Sequence, residues 1–405
     1  MTLRIGALLG WVATVGWLTL TPAGYTPPLT LETFVCIGCG WRGTSDILLN
    51  WAMFVPGGVL TATLLERRRA LLLVVAFTVV IEIVQIGVPG RYPALQDLVF
   101  NTLGAVSGAA LVSHGLGRLG QRLLAGIVII AWLSPIGLLI PMTSAHDLYG
   151  QWTPVFGGSA HYEGRILSAS VGTVETPSRR VEEKAALDRA IVTRQPIELR
   201  LRVGPPPSSL APIFQVADSH RDFILTIGAV GQDLIVFGNN PATVLGLDQP
   251  DVRWNGAMEG VTPGDTVILT VDRSVDSVCI SLDERTECAL APSLGDGWGF
   301  LIYLEGGPNW IRTLTSLAWA LGLGLVLGLV SDPTRSALVL GPLLALAGYV
   351  ASYLSPDVSA SAVHAVLLAG GTLAGIRLRQ PFARLWTTHL SSHGPPPPTE
   401  SPSLG

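Results

Sequence analysis

Charge is what this chain has least of. Only 13% of its 405 residues are Asp, Glu, Lys or Arg, where an ordinary soluble domain carries about 25%. Lysine is nearly missing: Lys184 stands alone, and the other cations are arginine. The formal net charge is −4 and no strongly basic patch gathers, which argues against a nucleic-acid partner. With 49% hydrophobic residues and a mean hydropathy of +0.49, a mainly cytosolic enzyme of this length is disfavoured. The apolar residues are also unevenly spread. They concentrate before residue 143 and after residue 310, and the middle reads as soluble protein.

A membrane-spanning helix needs about 20 mostly apolar residues. Five such runs precede the middle segment, at 3–20, 47–65, 70–88, 98–116 and 123–142, and three follow it, at 314–330, 336–354 and 358–376. The first run is longer than the core of a signal peptide and reads as uncleaved. The expected fold is a polytopic α-helical membrane protein of about eight transmembrane helices. An extracytoplasmic all-β sandwich is inserted between the fifth and sixth. The corresponding division is a five-helix membrane domain over 1–142, the β-sandwich over 143–310, three C-terminal helices over 311–378, and a disordered, Pro-rich tail over 379–405.

Arginine placement orients the chain. With the N-terminus inside, the cytoplasmic segments hold ten arginines (Arg4, Arg67, Arg68, Arg69, Arg118, Arg122, Arg335, Arg377, Arg379 and Arg384), and the short outer loops hold two, Arg42 and Arg91. The positive-inside rule therefore puts both termini in the cytoplasm and residues 143–310 outside a bacterial inner membrane. All four cysteines then lie on the outer, oxidising side. Cys279 and Cys288 flank Asp283–Glu284 symmetrically, so a two-residue hairpin there sets them opposite each other within disulfide range. Cys36-Ile-Gly-Cys39 is open to three readings: a zinc half-site, a redox pair or a small disulfide loop. The absence of a second pair nearby favours a structural disulfide or idle thiols.

The middle segment carries short alternating runs at 197–203, 213–217, 223–229, 234–237, 266–271, 277–282 and 299–304, separated by turn clusters. This pattern predicts an antiparallel sandwich. Its order of strands and turns resembles laminin-G-like, concanavalin-A-like jelly rolls, which implies binding of glycan or protein at loop ends, in some cases with calcium. Asp218, Asp222, Asp248 and Asp251 are candidate oxygen ligands, but calcium wants six to eight oxygens and no compact acidic loop supplies them; aspartates in turns are the plainer reading. Trp152, Trp254 and Trp298 are open to sugar stacking or to burial in the sandwich. No glycosidase-like carboxylate pair stands out.

The informative residues lie in the second to fourth helices. Asp46 and Asn50 are four apart, as are Asp97 and Asn101, and Glu82 and Gln85 are three apart, so each pair shares one helix face. The up-and-down topology brings all three pairs to one depth beneath the outer surface. Asn50 lies about 6 Å further in than Asp46, at 1.5 Å per residue. Ionisable residues at membrane depth are costly unless paired or hydrated. The expectation is a small hydrated pocket lined by Asp46, Asn50, Glu82, Gln85, Asp97 and Asn101, with Arg91 at its mouth. Simpler roles stay open: Asp46 and Asp97 as helix N-caps, the asparagines as interhelical glue, and Gly104–Gly108 as a packing face. Glu82 sits mid-helix in Val-Val-Ile-Glu-Ile-Val, where a capping role is not expected.

The run Ser45-Asp46…Asn50…Phe54-Val-Pro56-Gly57-Gly58, then Glu82…Gln85…Arg91…Asp97…Asn101…Gly104…Gly108, resembles the VanZ-like family over about residues 5–115. That family is associated with low-level resistance to teicoplanin, a lipoglycopeptide directed at peptidoglycan precursors. The resemblance implies a cell-envelope role and supplies no chemical mechanism.

Three functional readings follow. The first is a non-enzymatic envelope protein that binds a membrane lipid headgroup or lipid-linked glycan in the pocket, with the sandwich recognising glycan or protein. The second is a membrane enzyme on a lipid-linked cell-wall precursor, with Glu82 as general base and a divalent cation held by Asp46 or Asp97. The third is a proton-coupled transporter with Glu82 as relay, which asks for polar residues through the whole membrane depth. The first is the reading adopted. It involves no cofactor, a divalent cation entering only under the second. The last three helices show no polar constellation, and Gly324 and Gly328 form a small-residue face for packing within the chain or between copies.

Overall fold

A computed structural model describes residues 2–22, 30–39, 42–114, 117–140, 147–155, 160–177, 184–218, 223–273, 278–288, 290–302, 309–331, 335–355 and 357–391. Five long helices precede the β-rich segment: α1 (Thr2–Leu20), α3 (Gly43–Ala62), α4 (Arg67–Gln85), α5 (Leu95–His114) and α6 (Arg118–Leu138), with the one-turn α2 (Leu31–Val35) between the first two. Three follow it: α9 (Asn309–Val330), α10 (Arg335–Tyr353) and α11 (Ala362–Ser391). Stretches long and apolar enough to cross a membrane occur in α5, α6 and α9, at Leu95–Val112, Leu119–Leu138 and Trp310–Val330, while Arg4–Leu20 and Leu338–Tyr353 are shorter apolar helices.

The helices pack in two groups of four. In the first, Val15, Phe54, Val74, Ile81 and Ala105 form a core from α1, α3, α4 and α5, with Trp11, Phe54 and Phe77 in ring contact. A Cβ on Gly58 would overlap the Ala105 carbonyl, one on Gly104 the Trp51 carbonyl, and one on Gly108 the Val55 carbonyl. Small residues thus let α3 and α5 approach backbone to backbone. The second group joins α6, α9, α10 and α11 around Val128, Trp132, Ala320, Leu327, Leu344 and Leu368. Its seam has the same chemistry: Gly324 and Gly328 of α9 face the Leu368 and Thr372 carbonyls of α11, so this small-residue face packs within the chain. The expected five-helix unit over 1–142 therefore divides before α6, whose apolar side is completed by the C-terminal helices.

Between α6 and α9 the described residues form eleven strands, all paired antiparallel: β1 (Tyr149–Trp152), β2 (Arg165–Val171), β3 (Val174–Glu175), β4 (Ile197–Arg202), β5 (Ala211–Ala217), β6 (Phe223–Val230), β7 (Asp233–Gly238), β8 (Val252–Trp254), β9 (Thr266–Arg273), β10 (Val278–Leu282) and β11 (Arg285–Glu287). They form a five-stranded sheet in the order β1-β5-β6-β7-β8 and a six-stranded sheet in the order β11-β10-β9-β4-β2-β3. Alternating burial along β4 and β9 turns Leu199, Leu201, Val267 and Leu269 into a core shared with Ile213, Phe214, Leu225 and Ile227 of the other sheet. Two short helices, α7 (Lys184–Val192) and α8 (Pro241–Val244), lie in the connections. The β10–β11 hairpin turns at Asp283–Glu284, and Cys279 and Cys288 are joined across it with Cα atoms 4.1 Å apart.

Two segments differ from expectation. The run at 299–304 is not a strand where it is described: Leu294–Phe300 forms a 3-10 helix. Ser293 and Asp296 form a reciprocal capping box there, and the glycines at 295 and 297 let the turn sit against His364 of α11 and Trp319 of α9, while Gly299 sits against Pro250. The expected tail from 379 is helical as far as Ser391 in α11, because Arg377–Ser391 continues without a helix-terminating glycine. Residues 392–405 lie outside the described residues.

The sandwich is fastened to both helix groups. On the first, the Thr44 and Ser45 amides at the start of α3 donate to the Gly246 carbonyl at 3.0 and 3.1 Å. The Ser45 hydroxyl donates to the Phe300 carbonyl and accepts from the Asp248 amide, both at 2.6 Å, and Arg42 pairs with Asp248 at 2.5 Å. The orphan amides of a helix start are thus satisfied by the other domain. On the second group, Asp251 bridges Arg312 of α9 at 2.6 Å and Arg253 of β8 at 2.8 Å. Burial would push the Asp251 carboxyl up, but Arg312 and Arg253 outweigh it and hold the group below the ordinary carboxylate range. Arg194 meets Asp357, before α11, at 2.7 Å.

Candidate functional site

The sandwich-side ends of α3, α4 and α5 converge. Asp46 lies in the first turn of α3 and Asp97 in the first turn of α5, whereas Glu82 is one turn from the end of α4. The side-chain amide of Asn50 donates to Asp97 at 2.6 Å and so ties α3 to α5. Glu82 accepts the backbone N–H of Ala94 at 2.9 Å. It therefore does have a capping role, for the start of α5 rather than for its own helix, because the chain reversal at 86–94 folds those amides back over α4. Asp97 lies within electrostatic reach of Glu82, Asp46 and Arg91, and Asp46 within reach of Arg42 and Arg91. Three carboxylates from three helices thus share one polar region.

Asn101 lies one turn further in on α5. It is 2% exposed, and its side-chain oxygen has no hydrogen-bond partner among the described residues. A buried acceptor left unpaired costs about 1–3 kcal/mol, so this position is held against a packing preference for an apolar residue.

Gln85 and Arg91 turn elsewhere. Gln85 donates to the Thr19 carbonyl at 3.1 Å, and Arg91 donates to the Leu18 and Thr21 carbonyls, both at 3.0 Å. The last carbonyls of α1 have no intrahelical donors, and a cation there also complements the helix dipole. Gln85 therefore leaves the face it was expected to share with Glu82. Arg91 stands at the rim, bonded to α1 while its charge reaches Asp46 and Asp97.

Four further residues belong to this region. Tyr92 covers it from the 86–94 loop, where burial and the Asp46 and Asp97 carboxylates push its phenol up. Gln96 is buried and accepts the Gly38 amide at 2.5 Å; it thereby fastens the Cys36–Cys39 loop, whose two cysteines are bonded to each other, over the start of α5. Arg42 and Ser45 join the region to the sandwich. A polar residue flanking a proposed site residue was the only available signal for Ser45 and Gln96.

The carboxylates and tryptophans of the sandwich find structural partners. Asp248 and Asp251 make the docking ion pairs already described, and Asp222 lies outside the described residues. Trp152 donates to the Thr176 carbonyl, Trp298 donates to Ser316, and Trp254 lies under the Arg285 guanidinium. Among the described residues, no three His, Cys, Asp or Glu side chains gather as metal ligands.

The VanZ/LLP1 family model matches residues 5–119. The first four long helices form a VanZ-like domain. The match ends where α6 begins, at the boundary that the packing draws between the two helix groups. No curated protein and no solved structure matches the chain.

Proposed function

We propose that this VanZ-like cell-envelope protein binds a lipid headgroup or lipid-linked glycan between the sandwich-side ends of α3, α4 and α5, without catalysing a reaction. The observation that carries this reading is the Asn50–Asp97 bond beside Glu82, Asp46 and the unpaired Asn101 oxygen. A region rich in acceptors suits a ligand rich in donors, such as sugar hydroxyls or an ammonium headgroup. The proposed orientation is the one given by the arginines: eight spans, both termini in the cytoplasm, and the pocket in the outer leaflet. The sandwich, read as a laminin-G-like jelly roll, meets glycan or protein beside it, and a contribution to glycopeptide resistance is the phenotype this arrangement supports.

The enzyme alternative calls for a metal beside Asp46 or Asp97, and the described residues offer no ligand cluster for one. The transporter alternative calls for polar groups along the full depth, whereas the carboxylates within α3, α4 and α5 gather near one end and Glu66 stands exposed at the other.

Glu82→Gln, Asp97→Asn and Asn101→Ala are each expected to impair growth under glycopeptide or cell-wall stress while membrane insertion stays normal. Wild-type behaviour in all three variants would defeat the pocket reading.

A further inference from the structure

A second recess, mainly apolar but lined by a buried arginine, lies away from the helix ends, where the two sheets open toward the second helix group. The cleft measures about 80 Å³ and lies between Leu225 and Val236 of one sheet and Arg273 and Val278 of the other, with Leu139 after α6 and Asp357 before α11 at its boundary. A single water needs roughly 10–15 Å³ on this measure, so the space suits a group of several heavy atoms.

Among the described residues its charge is not balanced. Arg273 lines the cleft, and its Nε and Nη2 are closed off from solvent without a hydrogen-bond partner among the described residues. The neighbouring carboxylate, Asp357, is bonded to Arg194 at 2.7 Å. Two guanidiniums therefore stand against one carboxylate. Burial and the Arg194 charge press Arg273 down to about 10, opposed by Asp357; it remains a cation at neutral pH. A buried charge without a counter-charge costs several kcal/mol, an arrangement that a bound anion relieves. Gln249 also lines the cleft, its side-chain oxygen accepting from Asn240.

We infer that this cleft binds an oxyanion of the phosphate class, a free phosphate or the phosphate of a lipid headgroup, on Arg273, whose guanidinium turns its unpartnered N–H groups to the ligand. Arg is the side chain suited to such a group, since its two N–H bonds match two oxygens. The site is separate from the carboxylates of α3–α5 and does not depend on the function proposed for them.

Thermal-shift titration of the full chain in non-ionic detergent micelles with inorganic phosphate tests this inference. Wild type is expected to melt higher as phosphate rises. Arg273→Gln is expected to weaken the apparent affinity about tenfold or more, the loss of one or two charge-assisted bonds, and Arg273→Lys to retain part of it. Asp357→Asn removes the competing carboxylate and should tighten phosphate binding, which separates charge loss from misfolding. If phosphate has no effect in micelles, the same comparison in nanodiscs with and without phosphatidylglycerol reads the lipid source. Equal responses of wild type and Arg273→Gln in both settings, or weaker binding by Asp357→Asn, would overturn the inference.

Discussion

The two helix groups are built on the same seam and differ in what lies at its sandwich-side end. In the first, Gly58, Gly104 and Gly108 bring α3 and α5 together; in the second, Gly324, Gly328, Gly371 and Gly375 do the same for α9 and α11. Close packing therefore requires small residues and no carboxylates. The carboxylate of the second group pairs locally: Asp296 of the 3-10 helix bonds Ser293 and Ser316, Ser293 meets His364 at 2.9 Å, and Ser316 accepts from Trp298 at 2.9 Å, while the indole N–H groups of Trp132 and Trp319 are buried without a partner among the described residues. In the first group, three carboxylates meet and Asn101 keeps an unpaired oxygen. The polarity beyond the shared seam is what points to a ligand.

The attachments to the sandwich differ as well: ion pairs dominate on the second group, and backbone hydrogen bonds on the first. The largest effect is expected at the ionic side. Asp251→Asn leaves Arg312 and Arg253 buried without their carboxylate and should lower stability by about 3–5 kcal/mol, the usual cost of breaking a buried pair, read as a fall in melting temperature. The same bridge sets an acid limit. A carboxyl depressed in the folded protein contributes stability above its unfolded value of about 3.9, and that contribution is lost as pH falls through the lower folded value. Melting curves of wild type and Asp251→Asn should thus converge in strong acid and separate above roughly pH 4.

Next come the seams. Gly108→Val and Gly328→Val each drive a side chain into a facing carbonyl and should cost about 1–3 kcal/mol or more. Equal losses would sharpen the likeness of the two groups, and an effect on only one would break it. Ser45→Ala removes the hydroxyl shared by Phe300 and Asp248 and should cost about 1 kcal/mol, measurable by thermal melting. The smallest stability change is expected for Glu82→Gln, whose amide oxygen can still accept the Ala94 amide. A functional loss without a melting change at that position would separate ligand binding from packing.

The long helices were legible because long apolar runs leave little choice of structure: each of the eight runs overlaps a long helix, with ends displaced by a few residues and α11 running on to Ser391. The β10–β11 hairpin was legible from the symmetric placement of Cys279 and Cys288 about a two-residue turn. Convergence of Asp46, Asn50 and Asp97 follows from four-residue spacing and from the up-and-down topology, which leaves α3 and α5 parallel with their first turns at one end. The partners of Gln85, Arg91 and Glu82 were not legible, because each serves backbone groups left over at the end of another helix, and periodicity carries no signal for them. Asp248 and Asp251 read as turn aspartates for the same reason: their arginines, at 42 and 312, stand on opposite sides of the sandwich in the sequence. The polar cluster around His364 was not legible because half of it, Ser293, Asp296 and Trp298, comes from a 3-10 turn just before the run read as a strand, and its partners lie in helices 18 to 71 residues further on.

Mass spectrometry of lipid-soluble material that co-purifies with the full chain tests the pocket most directly. Wild type should carry one headgroup or glycan class enriched over the bulk membrane, and Asp97→Asn and Asn101→Ala, extracted alongside it, should lose that enrichment while keeping the bulk lipids. An identical lipid profile in all three proteins would contradict the account.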